Sequence, residues 1–150
     1  MRIEYVTDLE VFRPLGELWM QTHNGKEFGF NITVDDVMKD AKEVLASGSG
    51  AVIGANLNGE WVGFMLLFVC KSFLGPQDFA VEKYWFAKPG ASFMAGPLML
   101  REAKAWTKNR GCSDLITSAS NPASEMHDKV CEFYERCGFR KFETSYICKV

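Results

Sequence analysis

Two apolar runs separated by Asn58-Gly59 constrain the fold of this chain more than any other feature. Residues 51–57 and 61–70 are dominated by aliphatic and aromatic side chains, and neither run contains a charged residue. Asn-Gly readily adopts the positive φ angles of a two-residue turn, so the runs are predicted to form an antiparallel hairpin. The continuous apolar stretch over 64–70 is typical of a strand that is buried on both faces.

Amphipathic and alternating patterns continue on both sides of this hairpin. Upstream, residues 3–5 alternate as a short strand, Asp8 can cap a helix through about Thr22, and Thr33 can cap a second helix that ends near Gly48. The segments predicted downstream are a strand over 78–86, a helix over 96–110, a strand over 114–118, a helix over 124–137 and a strand over 142–150.

This order of elements determines the class of fold that we expect. Hairpins in the middle of the chain, followed by right-handed crossovers, imply a mixed sheet with helices on both faces. The predicted fold class is therefore α/β (α+β), with a mixed, mostly antiparallel central sheet of about six strands flanked by four helices. At 150 residues, the chain is expected to form a single domain over 1–150.

Composition argues against several classes of protein. The net charge of −2 gives no reason to expect a nucleic acid or a membrane surface as a partner. The apolar run over 64–70 is also too short to cross a bilayer. The five cysteines have no Cys-x-x-Cys spacing and the first residues do not resemble a signal peptide, so we expect reduced thiols and a cytoplasmic location.

Two residues of the last predicted helix have the spacing of metal ligands. His127 and Cys131 lie four positions apart, so they would share one face of the helix. The chain has only two histidines and no second ligand pair nearby, so no metal is expected. The alternative interpretation is a histidine near the start of the helix and a buried thiol.

The end of the same helix carries the most specific pattern in the chain. Residues 133–139 read Phe-Tyr-Glu-Arg-Cys-Gly-Phe, with an inward-facing tyrosine at 134 and a glycine exit at 138. This pattern and the order of elements resemble the GNAT superfamily of N-acetyltransferases, and small single-domain members encoded by bacteria and tailed phages in particular. The resemblance implies transfer of an acetyl group from acetyl-CoA to an amine, with Tyr134 as the proton donor to the departing thiolate. It also implies the host cytoplasm as the location if a phage encodes the chain.

The resemblance also implies where acetyl-CoA would bind. Backbone amides of Met94, Ala95 and Gly96 would face the pyrophosphate at the start of a helix. The acetyl carbonyl would lie against the backbone of Phe86 and Ala87. His127 stands where the family often has an asparagine that contacts the cofactor.

One loop departs from the family pattern, which is Arg/Gln-x-x-Gly-x-Gly/Ala. Depending on the register, the Arg/Gln position is Ala91 or Ser92, and the first glycine is Met94. Pro97 also removes one amide donor from the helix start. A plain strand-to-helix turn is the alternative interpretation of this loop.

A base is needed to take a proton from the acceptor ammonium before the amine can attack. Glu82 is the candidate, on a strand where many members of the family have a glutamate, and a period of two predicts that it shares a face with Tyr84 and Phe86. The alternative interpretation is an ion pair of Glu82 with Lys83 or Arg101 at an edge.

The acceptor is the least determined part of the reaction. The resemblance implies that His23, Glu27 and Phe28 lie in a loop beside the acceptor cleft, with Tyr84 as a further contact. A small-molecule amine and a protein amine both remain open, among them a polyamine, an antibiotic, an amino acid, a protein N-terminus and a lysine. A homodimer is also expected from the resemblance.

Two other functional hypotheses stay open. The first is a catalytically inactive GNAT-like protein that acts as a structural or binding component, which the unusual loop favours. The second is covalent catalysis through a cysteine. The sequence places no histidine beside a thiol at a helix N-terminus, so this second hypothesis has little support.

Overall fold

The computed structural model describes residues 1–22, 30–72, 75–119, 127–143, 145 and 148. The chain divides into two compact units, Met1–Ser118 and Ala119–Val150. The first unit contains a five-stranded sheet and three α-helices, and the second contains one α-helix.

The sheet of the first unit follows the order of the chain. Its strands are β1 (Arg2–Tyr5), β2 (Gly50–Leu57), β3 (Glu60–Cys70), β4 (Phe79–Ala87) and β5 (Asp114–Ile116). They lie in the order β1-β2-β3-β4-β5, and the first four pair antiparallel. Because β5 pairs parallel to β4, the sheet is mixed and mostly antiparallel, as predicted. The Asn58-Gly59 turn also has the predicted positive φ angles, 54° and 93°.

The described residues contain four α-helices. They are α1 (Arg13–Thr22), α2 (Val34–Ala46) and α3 (Ala95–Asn109) in the first unit, and α4 (His127–Arg136) in the second. Thr33 caps α2 in a capping box, in which Asp36 N donates to Thr33 Oγ1 at 3.2 Å and Thr33 N donates to Asp36 Oδ2 at 2.9 Å. No helix in the described part of the chain is long and apolar enough to span a membrane.

The first predicted helix is divided into two pieces. A 3₁₀ helix over Leu9–Phe12, capped by Asp8 as expected, precedes α1. Pro14 has no amide hydrogen, so it cannot donate to the carbonyl of Glu10 four residues earlier. The amide of Arg13 donates to that carbonyl instead, which is the bond of a 3₁₀ helix.

The sheet is buried on both faces. One face packs against α1 and α2 through a cluster that includes Phe12, Trp19, Phe64 and Phe86. The opposite face carries Met65 and lies under α3, whose buried residues include Met99, Leu100 and Ala103. The continuous apolar sequence of β3 is explained by this burial on two sides.

The sixth predicted strand is not formed in the described residues. Of the segment 142–150, the described residues are Phe142, Glu143, Ser145 and Cys148, and none is in a strand. Phe142 is 59% exposed. An alternating pattern stabilises a strand only where a neighbour pairs with it and its apolar face is buried, and the exposed Phe142 does not meet the second condition.

Close packing at Gly54 gives a testable prediction. A Cβ there would lie 2.5 Å from Trp61 Cζ3 and 2.6 Å from Phe12 Cζ, two rings that already contact each other. We expect Gly54→Ala to lower the free energy of unfolding by about 1–3 kcal/mol, because the core is overpacked. Urea unfolding measures this as a lower midpoint at an unchanged slope.

The matched control is Gly75→Ala. No atom lies within 4 Å of a Cβ at Gly75, so the change should stay within about 0.5 kcal/mol. Equal midpoints for the two variants would show that the core at Gly54 has room for a methyl group.

Candidate active site

The opening between β4 and β5 is the main feature of the candidate site. The two strands pair only at three positions, which end at Val81 and Ile116. The rest of β4, residues 82–87, is paired with β3 on one side. No described strand pairs with residues 82–87 on the other side. We therefore take this edge of β4 as the candidate site for a ligand that has amide groups of its own.

The register of β4 on β3 indicates which backbone groups face this opening. Lys88 N donates to Val62 O at 2.8 Å, and the pairing then runs through Ala87 with Gly63 and Phe86 with Phe64. In an antiparallel pair, alternate residues turn their N–H and C=O groups towards the partner strand. The amide of Phe86 therefore faces β3, whereas the amide of Ala87 faces the opening.

Glu82 lies where the two strands separate. It is buried, and its Oε2 accepts a hydrogen bond from the amide of Ser118 at 3.3 Å, just beyond the end of β5. The carboxylate thus connects the last paired position of β4 to the chain that leaves β5. A buried carboxylate at an opening in a sheet has a suitable position to exchange a proton with a bound ligand.

The prediction that Glu82 shares a face of the strand with Tyr84 and Phe86 is wrong. In the pairing, Tyr84 lies opposite Leu66 but Glu82 lies opposite Leu67, so Lys83 is an extra residue in a β-bulge. Adjacent residues of β3 point to opposite faces, and therefore Glu82 and Tyr84 do as well. Tyr84 and Phe86 face the α1–α2 side as a pair, and Glu82 points to the side of α3.

The α2 side of this bulge holds a second cluster of polar groups. Lys83 Nζ contacts Asp40 Oδ1 at 2.6 Å, so the ion pair of Lys83 is with α2 rather than with Glu82. Tyr84 is half-buried and its ring meets Trp19 edge-on at 5.4 Å. Burial first, and then the negative charge of Asp40, raise the pKa of Tyr84 to about 12. Tyr84 therefore stays neutral at physiological pH and can serve as a hydrogen-bond donor or acceptor.

Three amides of the loop from β4 to α3 donate within the loop itself. Lys88 and Ala91 form a turn with Gly90 at a φ of 76°, in which Ala91 N donates to Lys88 O at 3.3 Å. Ser92 then binds two of the predicted ligand amides. Met94 N donates to Ser92 Oγ at 3.1 Å, and Ala95 N donates to Ser92 O at 3.4 Å.

Little positive charge is present in this loop. Residues 89–96 contain no lysine, arginine or glutamine. Lys88, which precedes these residues in the chain, is paired with Glu60 Oε1 at 2.6 Å. Pro97 has no amide hydrogen, Gly96 is buried, and the next amide along the helix, that of Leu98, donates to Met94 O at 3.0 Å. The most prominent side chain is Phe93, which is 88% exposed.

In the second unit, Tyr134 is held at the end of α4. It is buried, and its ring lies 5.5 Å from the ring of Phe139. Phe139 N donates to Tyr134 O and Gly138 N donates to Glu135 O, with Gly138 at a φ of 84°. These two bonds and the ring contact form a Schellman motif, which explains the Gly-Phe exit seen in the sequence.

His127 and Cys131 also lie on α4. Their Nε2 and Sγ atoms are 3.7 Å apart, so the predicted shared face is confirmed. The contact follows from helix geometry, because one helical turn brings positions i and i+4 together. Among the residues the structure describes, no three potential ligands cluster as a metal site.

Three predicted acceptor contacts, His23, Glu27 and Phe28, lie outside the described residues. The sequence did not indicate the roles of three further residues, Asp40, Ser92 and Ser118. Each acts through a contact with β4 or within the loop, and no motif in the sequence marks these contacts.

Comparisons with known proteins place this geometry in context. The family model described as "Acetyltransferase (GNAT) family" matches residues 14–139. No protein with a curated description matches the chain in sequence.

Solved structures resemble the whole chain at low identity. A transcriptional regulator from Bacillus halodurans is 16% identical with a TM-score of 0.78, covering 99% of each chain. An aminoglycoside acetyltransferase from an uncultured soil metagenomic sample is 13% identical with a TM-score of 0.74, covering 99% of this chain and 97% of its own. A ribosomal-protein-alanine N-acetyltransferase from Brucella melitensis is 18% identical with a TM-score of 0.71, covering 100% of both. At these identities the likeness concerns the fold.

The hydrogen bond between Ser118 and Glu82 leads to a prediction. Glu82→Ala should speed hydrogen exchange of the Ser118 amide roughly tenfold or more, because the bond to a charged acceptor is lost. Glu82→Gln is the matched control, since its side-chain oxygen can still accept. NMR-detected exchange measures both, and equal exchange in Glu82→Ala and the unmodified protein would contradict the role of Glu82 at this opening.

Proposed function

Because the chain belongs to the GNAT acetyltransferase family, we propose that it is an N-acetyltransferase that moves an acetyl group from acetyl-CoA to a primary amine by direct attack. The observation that carries the proposal is the family match over 14–139, which spans both units. The end of the β4–β5 pairing at Val81 and Ile116 supports it, as does the amide of Ala87, which faces away from β3. On the same grounds we propose that residues 1–150 act as one acyltransferase domain.

The described residues fit one half of acetyl-CoA better than the other. The edge of β4 that carries the outward-facing amide of Ala87 suits the pantetheine arm, whose amides can pair with a strand. The loop before α3 suits the pyrophosphate poorly, because Ser92 already binds the amides of Met94 and Ala95. Gly96 and His127 remain proposed contacts on the family pattern alone.

The donor, when bound, supplies a thioester carbonyl for attack by the amine. Glu82 is the proposed base, which takes a proton from the acceptor ammonium directly or through a water molecule. The amide of Ala87, which faces the opening, is the proposed donor to the oxygen that becomes negative during attack. Tyr134 is the proposed acid, which gives a proton to the departing thiolate.

The acceptor is proposed only as a primary amine. Tyr84, neutral and half-buried beside Asp40, supports a polar contact on the α1–α2 side of β4. His23, Glu27 and Phe28 stay proposed acceptor contacts. One structural relative is named for aminoglycosides and another for a ribosomal-protein alanine, so an acceptor screen should include both classes.

Calorimetric titration with acetyl-CoA, followed by an acceptor screen, tests the proposal. Binding together with acetylation of an amine is the expected result. Binding without turnover for any amine would contradict the proposed reaction and favour the inactive, binding role. That alternative is the second candidate function, and the altered loop between β4 and α3 is the observation that favours it.

Tyr134→Phe is the variant that most directly tests Tyr134 as the proposed acid. It keeps the ring and its contact with Phe139 but removes the hydroxyl. We expect kcat to fall about 100-fold with little change in KM, because only the proton transfer is affected. Exposed Glu135→Gln on the same helix is the control and should leave kcat unchanged. A normal kcat in Tyr134→Phe would remove Tyr134 from the mechanism.

Glu82→Gln tests the base through its pH dependence. The amide cannot take a proton, so kcat/KM should fall about 100-fold or more near neutral pH. The fall in kcat/KM relative to the unmodified protein should become smaller as the pH approaches the pKa of the acceptor amine, because the acceptor then loses its proton without help. A deficit that is constant over the whole pH range would indicate a purely structural role for Glu82.

A further inference from the structure

We infer that strand β1 is the interface of a homodimer, in which a second copy of this chain pairs with its outer edge across a two-fold axis. The inference goes beyond the proposed function and does not depend on it. Strand β1 is the first strand of the sheet, and no strand in the described part of the chain pairs with its outer side. An unpaired edge of this kind can take up a strand from another chain.

The pairing of β1 with β2 determines which backbone groups face outwards. Val6 N donates to Val52 O at 2.9 Å, and β1 continues in the same register. In an antiparallel pair, alternate residues turn both their N–H and C=O groups towards the partner strand. The backbone groups of Ile3 and Tyr5 therefore face outwards, where a second strand can bind them.

The charges of β1 select one two-fold register. An axis at Ile3 matches the outward groups of the two strands and places Arg2 of each copy opposite Glu4 of the other. An axis one residue away, at Arg2 or at Glu4, also matches outward groups, but it places that charged residue opposite its own copy. Opposite charges directly across an antiparallel pair stabilise it, and like charges destabilise it. The edge is therefore complementary to itself when the axis lies at Ile3.

The two charged side chains of this edge are accessible to a second copy. Arg2 Nε lies 3.5 Å from Glu4 Oε1, and the two side chains are 75% and 41% exposed. Successive side chains of a strand alternate between its faces, so both lie on one face of β1. Pairing across the axis would join two such ion pairs into a group of four charges with alternating sign.

The same register covers apolar surface on the other face of the strand. It places Tyr5 opposite Met1 of the second copy, and these two residues are 52% and 37% exposed. The hydroxyl of Tyr5 donates to Glu102 Oε1 at 2.7 Å, which holds the ring at the edge of the sheet. Association would therefore remove apolar surface from water without a large cost for ordering this ring.

Sedimentation equilibrium of the unmodified protein is the first test. Strand β1 has four residues, whereas stable interfaces use about 20–30 residues on each side, so we expect a weak dimer. Its Kd should lie at about 1–100 µM, and the measurement should cover about 5 µM to 1 mM. A protein that remains monomeric over this whole range would overturn the inference.

Two charge reversals test the register. Glu4→Arg and Arg2→Glu each place four charges of one sign across the axis, so each variant alone should associate at least about tenfold more weakly. In an equimolar mixture of the two variants, opposite charges again face each other. Heterodimers should then form with about the affinity of the unmodified protein. A mixture that is as monomeric as its two components would overturn the proposed pairing.

Glu17→Arg is the matched control for net charge. It changes the charge of the chain as Glu4→Arg does, but at an exposed position of α1. We expect its dimer to form with the affinity of the unmodified protein. An equal loss of affinity in Glu17→Arg and Glu4→Arg would show that net charge alone controls association, which contradicts an interface at β1.

Hydrogen exchange detected by NMR tests the interface without any variant. The outward amides of Ile3 and Tyr5 should exchange about tenfold more slowly at about 1 mM than at about 20 µM protein, because dimers protect them. The amide of Glu4 already faces β2, so its exchange should change by less than about twofold. A dimer in which Ile3 and Tyr5 gain no protection would have its interface elsewhere, and the inference would be wrong.

Discussion

The separation of β4 from β5 is the constraint on which the candidate site depends. Pairing ends at Val81 and Ile116, and the carboxylate of Glu82 binds the amide of Ser118 directly beyond it. The bulge at Lys83 then reverses the faces of the residues that follow. One carboxylate, Glu82, consequently lies on the α3 side and another, Asp40, meets the strand from the α2 side. A regular strand of the same composition would place Glu82 on the α2 side.

Much of the fold could be predicted because its signals are local. The Asn58-Gly59 turn, the capping box at Thr33 and the glycine exit at Gly138 each depend on a few neighbouring residues. The bulge at Lys83 could not be predicted, because it is defined by the pairing of β4 with β3. The contact of Ser118 with Glu82 joins residues 36 positions apart, and no periodic pattern encodes it.

The loop before α3 was likewise predictable in part: its composition could be read from the sequence, but its hydrogen bonds could not. Its composition already indicated that the cation and the first glycine of the family pattern are absent. The sequence did not reveal that Ser92 occupies the remaining amides, since a serine near a helix start is ordinary in any protein. The same holds on the acceptor side. The sequence indicated Tyr84, but burial and then Asp40 raise the pKa of Tyr84, and Asp40 comes from a helix distant in sequence.

The internal bonds of the β4–α3 loop have a thermodynamic consequence. The turn at Gly90 and the two bonds to Ser92 order this segment during folding, without help from a ligand. The loop therefore loses its conformational entropy once, when the chain folds. Binding of a ligand does not carry this entropic cost a second time. If the chain acts as proposed, release of its product does not require this loop to melt.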